Sequence, residues 1–149
     1  RQQYILNMQP YYEKKGWQAG PHFFVTPQAD ICAFGFSDLM KAGTHASCFN
    51  NGSIGIEMVG DFDKEAFDSG PGAQVADNAI YLMALLHNRI GLTPTPYAYN
   101  KMGLHFHVEC VADAHHCPGS HVQKDDVGLR VSAMMAQLSG GQQPTGAVA

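Results

Sequence analysis

Residues 53–60 read Ser53-Ile54-Gly55-Ile56-Glu57-Met58-Val59-Gly60, an apolar run that contains one carboxylate. Apolar residues on both faces of a short run are typical of a strand inside a sheet. A glutamate within such a strand is unusual, because burying an unpaired carboxylate costs free energy. The segment therefore predicts an interior strand and a site at Glu57, where the side chain would face a cleft. A glutamate on a solvated sheet face or in a structural ion pair is the alternative.

The segments on either side of this strand predict further strands and helices. Apolar runs at 22–25 and 31–36, separated by turn residues at 27–30, predict a hairpin, and the alternation at 104–108 predicts another strand. Helices are predicted at 2–15, 73–90 and 123–138. The middle helix is the clearest, because its apolar residues form one stripe that Gly91 ends: Val75, Ala79, Leu82, Leu86 and Ile90. Together these elements predict an α/β fold with a central sheet covered by helices.

Length and composition limit the classes of protein to which the chain can belong. Its 149 residues fit one domain, placed at 1–138, and the Gly-, Gln- and Pro-rich residues 139–149 predict a flexible tail. A net charge of −4 with scattered basic residues gives no indication of nucleic-acid binding. No apolar run is long enough for a membrane span, and the first residues do not resemble a signal peptide. Oligomeric state cannot be read from the sequence.

Histidine and cysteine residues cluster near the end of the predicted domain. Five of the eight histidines fall between positions 105 and 121. His107 precedes Cys117 by ten residues, and imidazole and thiolate are both good zinc ligands. A catalytic zinc needs three protein ligands, so the spacing leaves open a surface histidine and a small buried cysteine. The cysteines at 32, 48, 110 and 117 are spaced irregularly, and their pairing stays undecided.

Four further side chains are candidates for chemistry around such a site. Glu57 in a cleft would have a raised pKa and would act as a general base on a metal-bound water. His115, two residues before Cys117, would reach a developing oxyanion, with exposure to solvent as the alternative. His22 would line the same cleft from the first strand. His45, in the loop at 43–47, is a candidate substrate contact.

Several stretches, in this order and at these distances, resemble the type 2 N-acetylmuramoyl-L-alanine amidases. They are residues 16–25, 43–46, Asn50, 53–57, 60–61, 106–107 and 116–119. That family includes phage endolysins, bacterial wall-recycling amidases and animal peptidoglycan-recognition proteins, and the resemblance extends from about residue 3 to residue 131. It implies an α/β fold with a mixed central β-sheet flanked by helices, one Zn²⁺ ion and a shallow groove for bacterial peptidoglycan.

The resemblance also implies roles for single residues. His107 and Cys117 match two of the three zinc ligands of the family. Glu57 matches the acidic residue that acts as general base or orients the zinc-bound water. His115 occupies the position where many members carry a lysine that steadies the tetrahedral intermediate. His22, His45 and Asn50 are the expected substrate-binding residues.

The third zinc ligand of the family is a histidine on a strand that precedes the first helix seen in this sequence. We expect the chain to be a fragment that lacks this strand; a substitute ligand in His22 and an incomplete site are the alternatives. The implied activity is hydrolysis of the amide bond between N-acetylmuramic acid and L-alanine. A non-catalytic peptidoglycan-binding module is the alternative function. Since no signal peptide is visible, a phage endolysin or phage-like lysis protein is the expected type.

Overall fold

The computed structural model describes residues 2–17, 20–28, 31–33, 38–94, 102–110 and 116–140. Within these residues the chain folds into helices on both sides of a small sheet. The helices are α1 (Gln2–Lys14), α2 (Gly70–Ile90) and α3 (Lys124–Gly140), the strands are β1 (Phe23–Val25), β2 (Ile31–Ala33) and β3 (Ile56–Met58), and a 3-10 helix spans His107–Cys110. The predicted α/β class is confirmed.

Strand β1 lies in the middle of the sheet, whose order is β2-β1-β3. It pairs antiparallel with β2, with Phe24 opposite Cys32, so the predicted hairpin is confirmed. It pairs parallel with β3, with Phe24 opposite Glu57. The sheet is therefore mixed, as expected. Residues 34–36 of the predicted second strand lie outside the described residues.

The two faces of β1 pack against different helices, because successive side chains of a strand point to opposite faces. Val25 is fully buried in the main core, which α2 and α3 build against the sheet. Phe24 instead joins Ile5 and Tyr12 of α1 in a second, smaller cluster. The sheet is thus covered by α1 on one face and by α2 and α3 on the other. Glu57 is in register with Phe24 and shares its side of the sheet.

Helix α2 supplies most of the main core and follows the predicted stripe closely. It begins at Gly70, three residues before the predicted start, because Pro71 is tolerated in the first turn. Its last residue is Ile90, and the following Gly91 caps the helix, with a left-handed φ of +76° and an N–H that donates to the carbonyl of His87. Ile90 departs from the stripe, since it is 53% exposed.

The predicted strand at 104–108 is wrong, because residues 104–106 form no strand and a 3-10 helix follows them. The N–H of Glu109 donates to the carbonyl of Phe106, and the Glu109 carboxylate bonds with His105. An extended strand would lose both of these local bonds. A five-residue alternation of apolar and polar side chains does not distinguish the two conformations.

The predicted helices at both ends of the chain are confirmed. Helix α1 forms with Pro10 inside it, and α3 extends to Gly140, so residues 139 and 140 belong to the helix and not to the predicted tail. Residues 141–149 lie outside the described residues. None of the helices in the described part of the chain is both long and apolar enough to cross a membrane.

Candidate active site

Glu57 occupies the middle of β3 as a half-buried carboxylate. Burial raises its pKa from 4.5 to about 7, because desolvation disfavours the charged form. A carboxyl group with a pKa near 7 exchanges protons readily at neutral pH, which suits a general base. The raised pKa agrees with the effect of burial that the sequence predicts, and the role of Glu57 as a base stays a prediction.

The Cys117 thiol lies in a turn close to Glu57. The side chain is free and exposed overall, yet desolvation raises its pKa, and the negative charges of Glu57 and Asp63 raise it further. Asp63 also holds this turn, since its carboxylate accepts the backbone N–H of Ser120 at 2.8 Å. Gly119 has a φ of +119° and lies directly against the backbone of Phe62, where a Cβ atom would collide. The turn therefore has little freedom.

His107 begins the 3-10 helix and lies beside the Cys117 turn. The backbone N–H of Val108 donates to the carbonyl of Cys117 at 3.0 Å, which joins the two segments. The His107 side chain is half-buried. The structure thus brings together the segments that carry the two predicted metal ligands, and the predicted base interacts electrostatically with one of them, Cys117.

Polar contacts anchor the 3-10 helix, in which no side chain is fully buried. The Glu109 carboxylate bonds with His105 Nδ1 at 2.9 Å and accepts a bond from Lys124 of α3. The Lys124 ammonium group also lies 5.5 Å from the centre of the Phe106 ring. These contacts tie the helix to the start of α3.

A disulfide bond also reaches the 3-10 helix. It joins Cys110 to Cys48, with 5.6 Å between their Cα atoms. The ring of Phe49 lies 4.5 Å from the ring of His105 in the same region. Spacing along the sequence gave no indication of this pair, because 62 residues separate the two cysteines.

His22 is only 1% exposed, and both of its ring nitrogens are used by the backbone. Its Nδ1 accepts the N–H of Gly55 at 2.9 Å, and its Nε2 donates to the carbonyl of Lys41 at 3.0 Å. In this position the ring joins the start of β3 to the preceding loop. It leaves no nitrogen for a substrate or for a metal.

His45 interacts electrostatically with His22 and His107 and is neutral at physiological pH. Its pKa is lowered from 6.5 to about 4, mainly by burial and in smaller part by the neighbouring His22 and His107. Its Nε2 lies 2.9 Å from the hydroxyl oxygen of Ser53. Because that hydroxyl donates its proton to the carbonyl of Phe49, Nε2 must donate to Ser53. The Nδ1 atom is buried, and no partner for it is found among the described residues.

Asn50 shapes the loop that carries His45. Its side-chain oxygen accepts the backbone N–H groups of His45 and Ala46 at 2.8 and 2.7 Å. The predicted substrate-binding residue is thus engaged in a turn of its own loop.

His115, the predicted oxyanion-binding residue, lies outside the described residues. Its neighbour His116 is exposed and lies 3.6 Å from the Asp63 carboxylate.

The donor groups near Glu57 fit part of a zinc site. His107 and Cys117 supply the nitrogen and sulfur ligands that zinc favours. Within the described ranges, however, no three histidine, cysteine or acidic side chains are arranged to hold a metal ion. The described residues therefore do not complete a catalytic zinc site.

The described part of the chain is thus an α/β domain whose mixed sheet lies between helices and carries a half-buried carboxylate that interacts electrostatically with Cys117. Comparison with protein families identifies it further. The model of the N-acetylmuramoyl-L-alanine amidases matches residues 2–120, which is most of the chain. The chain belongs to the type 2 N-acetylmuramoyl-L-alanine amidase family, and membership supports peptidoglycan amidase activity. Searches of curated proteins and of solved structures found no match.

Proposed function

We propose that the chain is a zinc-dependent enzyme that hydrolyses the bond between N-acetylmuramic acid and L-alanine. One observation carries the proposal: the half-buried carboxylate of Glu57, whose pKa burial raises to about 7, interacts electrostatically with Cys117. The carbonyl of Cys117 also accepts a hydrogen bond from the N–H of Val108, in the segment that begins with His107. These contacts support a site in which Glu57 would act as the base and His107 and Cys117 as zinc ligands, in a family of N-acetylmuramoyl-L-alanine amidases.

His107 and Cys117 would hold the zinc ion, which lowers the pKa of a bound water toward about 7. A third protein ligand is required. His22 does not fit this role, because backbone groups engage both of its nitrogens. The proposal therefore requires a third ligand other than His22.

The chain's own residues would move the proton and shape the groove. Glu57 takes a proton from the attacking water and passes it to the nitrogen of the leaving L-alanine when the C–N bond breaks. His115 would donate to the oxyanion that forms on the carbonyl oxygen. His45 and Asn50 would border the substrate groove. His22 would support that border from beneath through its bonds to Gly55 and Lys41.

Digestion of purified cell wall by the Glu57→Gln variant tests the role of the base. We expect cleavage to fall by about 10²–10⁴-fold, the usual contribution of a general base. Glu13→Gln is the matched control, because it removes an exposed carboxylate from α1. A Glu57→Gln variant that releases free stem peptide at the parent rate would exclude Glu57 as the base. Lysis of whole bacteria by added protein tests the endolysin-like role that we propose with this activity.

A peptidoglycan-binding module without catalysis is the second candidate function. The observation in its favour is that no three-ligand metal group is found in the described part of the chain. Zinc content and wall cleavage separate the two functions. About one zinc per chain with cleavage that a chelator abolishes supports the enzyme. Wall binding without zinc and without cleavage supports the binding module.

A further inference from the structure

A covalent bond joins two segments of the candidate site. This bond takes no part in the proposed chemistry, and the family match does not bear on it. The first is the loop at 38–52, called here the histidine loop, which carries His45. The second is the 3-10 helix, which carries His107. Cys48 of the loop and Cys110 of the helix form a disulfide, and the N–H of Cys48 also points to Cys110 Sγ at 2.8 Å.

The 3-10 helix depends on such links more than an ordinary helix would. None of its four residues is fully buried, so burial of apolar surface does little to hold it in place. Residues three apart in a 3-10 helix lie on the same side, which places Cys110 on the side of His107. The bond of Val108 to the Cys117 carbonyl and the Glu109 cluster hold other parts of this helix.

The histidine loop is held in place by hydrogen bonds that do not involve the disulfide. The backbone N–H of Thr44 donates to the carbonyl of Gly20 at 3.1 Å, and His22 bonds with the carbonyl of Lys41. Asn50 closes the turn that follows His45. The loop is therefore a firm support, and the disulfide connects the 3-10 helix to it.

We propose that the Cys48–Cys110 disulfide is a positioning cross-link, which holds the His107 segment against the histidine loop, and that wall cleavage requires the closed bond. This inference rests on the proposed function. The two cysteines are positioning residues, because they act through His107 and His45 and not on the substrate. Neither cysteine belongs to the two buried clusters of the fold, so opening the bond should leave the sheet and the packing of α2 against α3 in place.

Two independent perturbations open the cross-link. The double variant Cys48→Ser/Cys110→Ser never forms it. Dithiothreitol reduces it in the parent protein: the disulfide gains two electrons and two protons from the dithiol, which becomes a cyclic disulfide. Reductant applied to the double variant is the matched control, since it exposes every other thiol, including Cys117, to the same treatment.

Amide NMR spectra and steady-state kinetics on soluble wall fragments give the readouts. We expect kcat/KM to fall by about tenfold or more in both open forms, because small displacements of site groups are costly. The amide signals of Val108, His45 and Ala46 should shift, and those of α2 should stay in place. Reductant should not change the double variant further.

Three outcomes decide the proposal. Unchanged kinetics and unchanged Val108 and His45 signals in both open forms would overturn it. Loss of the α2 signals together with activity would also overturn it, because the bond would then stabilise the whole fold. If the parent protein does not cleave wall at all, the proposed function fails. The NMR spectra then still show whether the bond positions the His107 segment.

Discussion

Replacing Glu57 by glutamine should stabilise the folded chain above pH 7 and leave its stability nearly unchanged below pH 4.5. Burial raises the pKa of this carboxyl from 4.5 to about 7. The folded state therefore keeps its proton in a pH range where the unfolded state has lost it. By linkage, the free energy of unfolding of the parent protein falls as the pH rises between these two values.

The size of the effect follows from the same two pKa values. The difference between 4.5 and about 7, at 1.36 kcal/mol for each pKa unit, gives an upper limit of about 3 kcal/mol. A glutamine is neutral at every pH, so the free energy of unfolding of the variant does not fall in this way as the pH rises. Its advantage over glutamate should appear between the two pKa values and remain constant at higher pH. The variant should therefore be more stable than the parent protein at pH 7 and above.

Urea unfolding of metal-free protein at several pH values measures this difference. Both proteins should show the same dependence of the unfolding free energy on urea concentration, so that only stability differs. Glu13→Gln, at an exposed position, should show no comparable gain above pH 7. A stability difference between parent and Glu57→Gln that does not change with pH would refute the reasoning, because it would mean that the carboxyl is not desolvated.

Three further predictions concern the surroundings of the site. Gly55→Ala should destabilise the fold by about 1–3 kcal/mol in thermal unfolding, because the added Cβ would collide with the ring of His45. Gly140→Ala is the control, because an added Cβ there would contact no other atom, and it should cause no such destabilisation. Ser53→Ala should cost about 1–2 kcal/mol in the same assay by removing the partner of that ring, and Ser69→Ala, whose side chain makes no capping bond, is its control. Treatment with a chelator should abolish wall cleavage and added zinc should restore it; cleavage that persists without metal would contradict the proposed zinc dependence.

The sequence predicted the layers of the fold because their signals are local. The stripe along α2 and the stop at Gly91 lie within one segment, and the hairpin of β1 and β2 joins runs that a short turn separates. The strand predicted at 104–108 is wrong because Glu109 bonds with Phe106 and His105 in its own segment and is also held by Lys124 of another helix. Periodicity within five residues carries no information on such a contact.

The candidate site was predicted only in part, for a related reason. Glu57 is conspicuous because a carboxylate in an apolar strand needs an explanation. His22 was expected to border the groove, but its environment is set by Gly55, 33 residues away, and by Lys41, 19 residues away. No pattern within the first strand indicates that both nitrogens would be occupied. The roles of His45 and Asn50 in substrate binding and of His115 at the oxyanion stay predictions.

The position of β1 in the middle of the sheet has a consequence for how the protein folds. Its pairing with β2 joins residues eight apart, Phe24 and Cys32, whereas its pairing with β3 joins Phe24 to Glu57, 33 residues apart. Closing the longer loop costs more chain entropy, so we expect the hairpin to form first and the parallel pairing to follow. Pulse-labelled hydrogen exchange during refolding should show protection of the hairpin amides before that of Val59, whose N–H bonds to Val25. Glu57 would then reach its place in the later of the two steps, and a chain that has folded only its hairpin and helices would not yet have this carboxyl group half-buried in the sheet.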